Sequence, residues 1–197
     1  MSNWYIPEVD CTFIHIPKTG GLSIRRGVFK GRGRSIRISR HKLTHEYSNR
    51  FSFCFIRNPY DRLISAWKML TRDWQNLPQL SLSEFLDIVT DTSISHTNGN
   101  TFKDYKSSCR HHTIPQTHRY NCVDLADYIG KFEDYNKEWK KICSIIEWDY
   151  QEPPHENKSQ TDNNYMQYFN QETLDIVNEY FSEDFERLPY EMIQELP

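Results

Sequence analysis

The residues best suited to chemistry lie in two short stretches. The first is His15-Ile16-Pro17-Lys18-Thr19-Gly20-Gly21-Leu22-Ser23. A strand-like run ends there, a glycine-containing turn follows, and a helix opens. Backbone N–H groups at a helix start, together with the helix dipole, attract an anion. Gly20 and Gly21 let the backbone approach an oxyanion closely. Lys18 adds an ammonium, and Thr19 and Ser23 add hydroxyl donors. This is the chemistry of a phosphate or sulfate cradle. It is not the common P-loop, because its lysine precedes the glycines. The second stretch runs from Phe55 to Trp67 (FIRNPYDRLISAW). Arg57 stands at a strand end, where a guanidinium can clamp a phosphate through two parallel hydrogen bonds. Ser65, about two turns into the next helix, can hold a further oxygen.

The surrounding pattern supplies the elements that must position these groups. Cys11–Ile16, Ser35–Ser39, Phe51–Ile56 and Tyr128–Phe132 read as strands. The near-continuous apolar run FSFCFI suits a central strand buried on both faces. Leu22–Phe29, Tyr60–Trp74, Ser81–Val89, Tyr135–Ile146, Gln171–Phe181 and Glu183–Gln194 read as helices. Ser81 with Glu84 three residues later forms a capping-box pattern. Thr90 to His118 is polar and reads as a long loop, and Gln151–Asn164 as a second one. Strands alternating with helices favour an open α/β sheet with a mainly parallel core. In such sheets ligands sit at the carboxyl ends of the strands, where both stretches begin.

Composition narrows the function classes. The 197 residues fit one α/β domain and are numerous enough to bury a core. Residues 1–197 are expected to form a single domain. The net charge of −3 argues against a general nucleic-acid or membrane binder. Yet Arg25 to Lys42 holds eight Lys or Arg and no acid, which suggests a local anion site. The five cysteines are odd in number, widely spaced and without a CxxC, which favours a reducing compartment. No apolar run approaches a membrane span, and residues 1–10 carry no signal-peptide core, so a cytoplasmic location is expected. His96, His111, His112 and His118 lack zinc-site spacing.

Taken in order, the two stretches resemble the cofactor-binding signatures of the superfamily of sulfotransferases that use 3′-phosphoadenosine 5′-phosphosulfate (PAPS). HIPKTGG followed by FIRNPYDRLISAW is most similar to the carbohydrate-sulfotransferase branch, including its small bacterial and viral relatives. Tyr128–Glu133 (YIGKFE), His155–Ser159 (HENKS) and the tail Asp184–Tyr190 (DFERLPY) also resemble that branch. The resemblance implies a three-layer P-loop-like fold with a central, mainly parallel sheet flanked by helices. It implies that Pro17, Lys18, Thr19, Gly20, Gly21, Leu22 and Ser23 hold the 5′-phosphosulfate. Lys18 would also stabilise the leaving oxygen. Arg57 and Ser65 would hold the 3′-phosphate, with Lys158 and Ser159 completing the nucleotide site. PAPS would be the co-substrate, and the implied mechanism uses no metal.

Sulfuryl transfer then needs positioning, electrostatic stabilisation and one base for the acceptor's proton. The resemblance places that base upstream of the second stretch. His41 aligns best, with His45 second and Glu46 as a fallback. The implied acceptor is a hydroxyl, on a sugar or another small hydroxylated molecule, with Arg32–Asn49 and Thr90–His118 setting its identity. Neither nucleic acid nor membrane is expected as a partner. The alternative is a non-catalytic nucleotide- or polyanion-binding module on the same fold. A small-molecule kinase would need a P-loop and magnesium ligands, which the sequence does not display.

Overall fold

A computed structural model describes residues 3–29, 36–71, 79–97, 104–153 and 164–196. The chain divides into two compact units, Met1–Arg57 with Gln116–Lys158, and Asn58–Pro115 with Ser159–Pro197.

The first unit is built on a five-stranded sheet. Its strands are β1 (Asn3–Ile6), β2 (Cys11–Ile14), β3 (Ile36–Ile38), β4 (Phe51–Ile56) and β5 (Tyr128–Lys131), in the order β3-β1-β2-β4-β5. β2, β4 and β5 run parallel, with Phe13 opposite Phe53 and Cys54 opposite Ile129. This is the parallel centre the sequence pattern calls for. β1 was not foreseen. It pairs antiparallel with β2, with Tyr5 opposite Thr12, and with β3. Only four residues join β1 to β2, enough for an antiparallel return but far too few for a crossover.

Alternation along β4 sends Phe53 and Phe55 into one core with Phe13 of β2. The same core takes Ile24 and Phe29 from the segment after β2, and Trp139, Ile142 and Cys143 from the helix Tyr135–Ile145. Phe53 lies 5.2 Å from Phe13 and 6.0 Å from Trp139, ring centre to ring centre. Truncating one such ring costs about 3–5 kcal/mol. The helix expected at Leu22–Phe29 is of π type over Ser23–Val28, where the Phe29 N–H donates to the Ile24 carbonyl at 3.1 Å. A short helix, α1 (Arg40–His45), also belongs here, capped by the Ser39 hydroxyl.

The second unit is helical. α2 (Pro59–Thr71), α3 (Leu82–Thr90), α4 (Tyr105–Thr113), α6 (Gln171–Tyr180) and α7 (Ser182–Arg187) enclose a core of Leu63, Ile64, Trp67, Phe85, Leu174, Val177 and Phe181; α5 is the helix Tyr135–Ile145 of the first unit. Ser81 and Glu84 form the expected capping box at α3. α4 occupies part of what reads as a loop in the sequence. Its helical state rests on its ends rather than on apolar periodicity. Asp104 accepts from the N–H groups of Lys106 and Ser107 at 3.1 and 3.3 Å. At the other end, the buried Arg62 guanidinium donates to the carbonyls of His112, Thr113 and Ile114 at 3.2, 3.0 and 2.8 Å. A cation there also complements the helix dipole. The last helix, expected over Glu183–Gln194, stops at Arg187. Pro189 bars Leu188 from the helical region, and Leu188 is extended. No helix among the described residues is long and apolar enough to cross a membrane.

Candidate functional site

The site candidates of the first unit gather where the three parallel strands end. β2 delivers the loop 15–23, β4 delivers Arg57, and β5 delivers Phe132 and Tyr135.

The loop turns through two left-handed residues, Lys18 at φ 71° and Gly20 at φ 79°. Between them Thr19 is fully buried, and its hydroxyl donates to the Ile16 carbonyl at 2.8 Å, closing the turn. The Ser23 N–H donates to the Gly20 carbonyl at 3.0 Å as the helix begins. Both glycines are sterically required. A Cβ on Gly20 would stand 2.8 Å from the Tyr135 ring, and one on Gly21 only 2.0 Å from the His15 ring. His15 therefore helps to shape the loop by packing against Gly21.

Arg57 is buried, at 4 % exposure. Its backbone is gripped by the Gln116 side-chain amide. The Arg57 N–H donates to Gln116 Oε1 and Gln116 Nε2 donates to the Arg57 carbonyl, both at 2.9 Å. Gln116 thus pairs with the end of β4 as a neighbouring strand would. The guanidinium lies over the Phe132 ring, 4.3 Å from its centre, and Nη1 donates to the Lys18 carbonyl at 3.0 Å. The Tyr135 hydroxyl donates to the Gly20 carbonyl at 2.7 Å. Burial pushes the Tyr135 phenol well above its ordinary pKa, so it remains a donor throughout the working pH range.

The structure thus joins Arg57 directly to the loop that carries Lys18, Thr19, Gly20 and Gly21. Pro17 and Ser23 are buried beside them, and Leu22 is half-buried. His41 and His45 sit on α1 of the same unit. Their exposed rings stack on each other, 4.2 Å between centres and 13° from parallel. His45 Nδ1 lies 2.8 Å from the His41 carbonyl. The Thr44 hydroxyl lies 2.9 Å from the same nitrogen. α1 is held in place by Arg40, whose guanidinium makes a two-pronged pair with Asp124 at 3.0 and 2.7 Å. Ser65 lies on α2 in the second unit, half-buried. Lys158 and Ser159 lie outside the described residues.

Gln116, Phe132 and Tyr135 were not singled out as site-forming in the sequence. Gln116 is 59 positions from its partner Arg57, and Tyr135 is 115 from Gly20. The one local hint was the strand-to-helix step at Phe132–Tyr135, the same kind of junction that carries the other two groups.

A glycine loop at the carboxyl end of β2 and an arginine at that of β4 stand where open α/β sheets place their ligands. A family model, that of the sulfotransferase family, matches residues 24–191, and the chain belongs to that family. The match covers Arg57, Ser65, His41 and His45 and begins just after the loop 17–23, so the case for that loop rests on its own geometry. No curated protein and no solved structure matches the chain. Family membership makes the protein a transferase of sulfuryl groups, and PAPS is the donor generally used in the family. Among the described residues, no group of three or more His, Cys, Asp or Glu is placed to hold a metal ion.

Proposed function

We propose that the protein transfers the sulfuryl group of PAPS to an acceptor hydroxyl of a carbohydrate. The observation that carries this reading is the hydrogen bond from Arg57 to the Lys18 carbonyl. It ties a phosphate-clamping side chain to a glycine loop that offers N–H groups and an ammonium. The two glycines let the rings of Tyr135 and His15 close against the loop, which fixes the path of its backbone.

When bound, PAPS supplies the sulfuryl group and a bisphosphate nucleotide as leaving group. The loop N–H groups, that of Thr19 among them, and the Ser23 hydroxyl hold the 5′ end, while the Thr19 hydroxyl closes the turn onto the Ile16 carbonyl. Lys18 neutralises charge as it develops on the oxygen that leaves sulfur. Arg57 and Ser65 hold the 3′-phosphate, and Lys158 and Ser159 complete the nucleotide site. A histidine of α1 takes the acceptor's proton while the acceptor oxygen bonds to sulfur, in line with the departing oxygen. His41 remains first choice for that base. His45 is the alternative. A sugar acceptor is supported by the resemblance of HIPKTGG and YIGKFE to the carbohydrate branch and by the basic run Arg25–Lys42.

Calorimetric titration tests the reading. 3′-Phosphoadenosine 5′-phosphate should bind about ten- to a hundredfold more tightly than 5′-AMP, as one charge-assisted phosphate clamp provides. Turnover with PAPS and a panel of sugars should follow. Equal binding of the two nucleotides would sink the PAPS reading. Tight binding without turnover would move the non-catalytic module ahead.

A further inference from the structure

The loop 15–23 has two carbonyls fastened to the body of the first unit. Arg57 Nη1 holds that of Lys18 at 3.0 Å, and the Tyr135 hydroxyl holds that of Gly20 at 2.7 Å. A trans peptide is planar, with its C=O and the following N–H pointing in opposite directions. Fastening the Lys18 carbonyl therefore turns the Thr19 N–H away from Arg57. Fastening the Gly20 carbonyl turns the Gly21 N–H away from Tyr135. The left-handed backbone at Lys18 and Gly20 matches this alternation, the geometry by which successive N–H groups form an anion-binding concavity.

We propose that Tyr135 is a positioning residue for sulfuryl transfer: its hydroxyl fixes the Gly20–Gly21 peptide so that the Gly21 N–H faces the 5′-phosphosulfate. The inference rests on the reading of this loop as the 5′ cradle. Tyr135 touches neither the nucleotide nor the acceptor in this scheme. It acts through the peptide it holds. The ring is independently locked, 4.5 Å from Phe55 and 5.6 Å from Phe132, centre to centre, and its edge closes over Gly20. The hydroxyl can therefore be removed without removing the wall. Without it, among the described residues the Gly20 carbonyl keeps the Ser23 N–H at 3.0 Å, a bond along the helix that does not fix the plane against the body of the unit.

Tyr135→Phe isolates the hydroxyl. Wild type and Tyr135→Phe would each be titrated with 3′-phosphoadenosine 5′-phosphate and with adenosine 3′-monophosphate, which lacks the 5′ group. The variant should lose about three- to tenfold in affinity for the bisphosphate, the reach of one neutral hydrogen bond, and keep its affinity for the 3′-monophosphate. With PAPS and an acceptor, kcat should fall by more than KM rises, because the N–H is aimed at charge that grows in the transition state. Equal weakening of both ligands would make Tyr135 merely structural and overturn the inference. So would no weakening of either. If wild type itself bound the two nucleotides equally, the 5′ cradle would fall, and this role for Tyr135 with it.

Discussion

Arg57→Ala tests how the site is built as well as what it binds. In the folded chain without nucleotide, the guanidinium makes a charged hydrogen bond to the Lys18 carbonyl and lies over the Phe132 ring. A charge-assisted bond contributes about 1.5–3 kcal/mol, and a desolvated cation–π contact at this range about 2 kcal/mol. Their joint loss should destabilise the chain by about 3–5 kcal/mol. For a protein of this size that is a fall in Tm of about 6–20 °C, read by calorimetry without ligand. Arg57→Lys keeps the charge over Phe132 but not the fork, so it should recover part of the loss. Binding carries a second signature. A residue that only clamps the 3′-phosphate would leave 5′-AMP binding untouched. One that also fastens the Lys18 carbonyl should weaken 5′-AMP as well. A ligand-free Tm within about 2 °C of wild type would refute the reasoning, because a buried clamp of this kind cannot be removed without cost.

Three further expectations follow from the geometry. Gly21→Ala drives a methyl to 2.0 Å from the His15 ring, so it should abolish measurable binding of 3′-phosphoadenosine 5′-phosphate, and calorimetry should show it. Gly21→Ala combined with His15→Ala should recover part of that binding. His41→Ala and His45→Ala should differ sharply in kcat at saturating PAPS. The one that removes the base should cost about 10²–10⁴-fold, and equal small effects would remove α1 from the chemistry. Ser81→Ala removes the α3 cap at about 1 kcal/mol. Ser81 also holds the Glu84 carboxyl below its ordinary range through its hydroxyl and N–H. A lowered carboxylate stabilises the fold above its ordinary pKa and loses that contribution as pH falls towards the lowered value. The Tm gap between wild type and Ser81→Ala should therefore narrow as the pH drops below the usual glutamate range.

Much of this fold is written locally. FSFCFI gave β4 with its bounds intact, because a run of aromatic and β-branched residues ended by Asn58-Pro59 has few other solutions. The Ser81–Glu84 box marked the start of α3 for the same reason. α4 is not legible in the sequence because YKSSCRHHT lacks an apolar stripe. It buries Ser107, Ser108, Arg110 and His111, and the last two find their partners at Asp91, Ile94 and His96, outside the helix. β1 was missed because its four residues acquire meaning only beside β2. The site divides in the same way. Lys18, Gly20 and Gly21 are legible as a candidate loop because they are contiguous, and Arg57 because it ends the strand-like run FSFCFI. Gln116 and Tyr135 are not, since one amide and one phenol become significant only when the fold brings them to a carbonyl in another segment.

Lys18 carries a consequence of its own. A non-glycine residue in the left-handed region forgoes about 1–2 kcal/mol relative to an ordinary conformation. Glycine would relieve that penalty, offset by about 0.5–1 kcal/mol of added chain entropy. Lys18→Gly removes that backbone penalty and, in the proposed mechanism, also deletes the ammonium that neutralises the leaving oxygen. In that reading the left-handed backbone at Lys18 is a cost that turnover, and not folding, keeps in place.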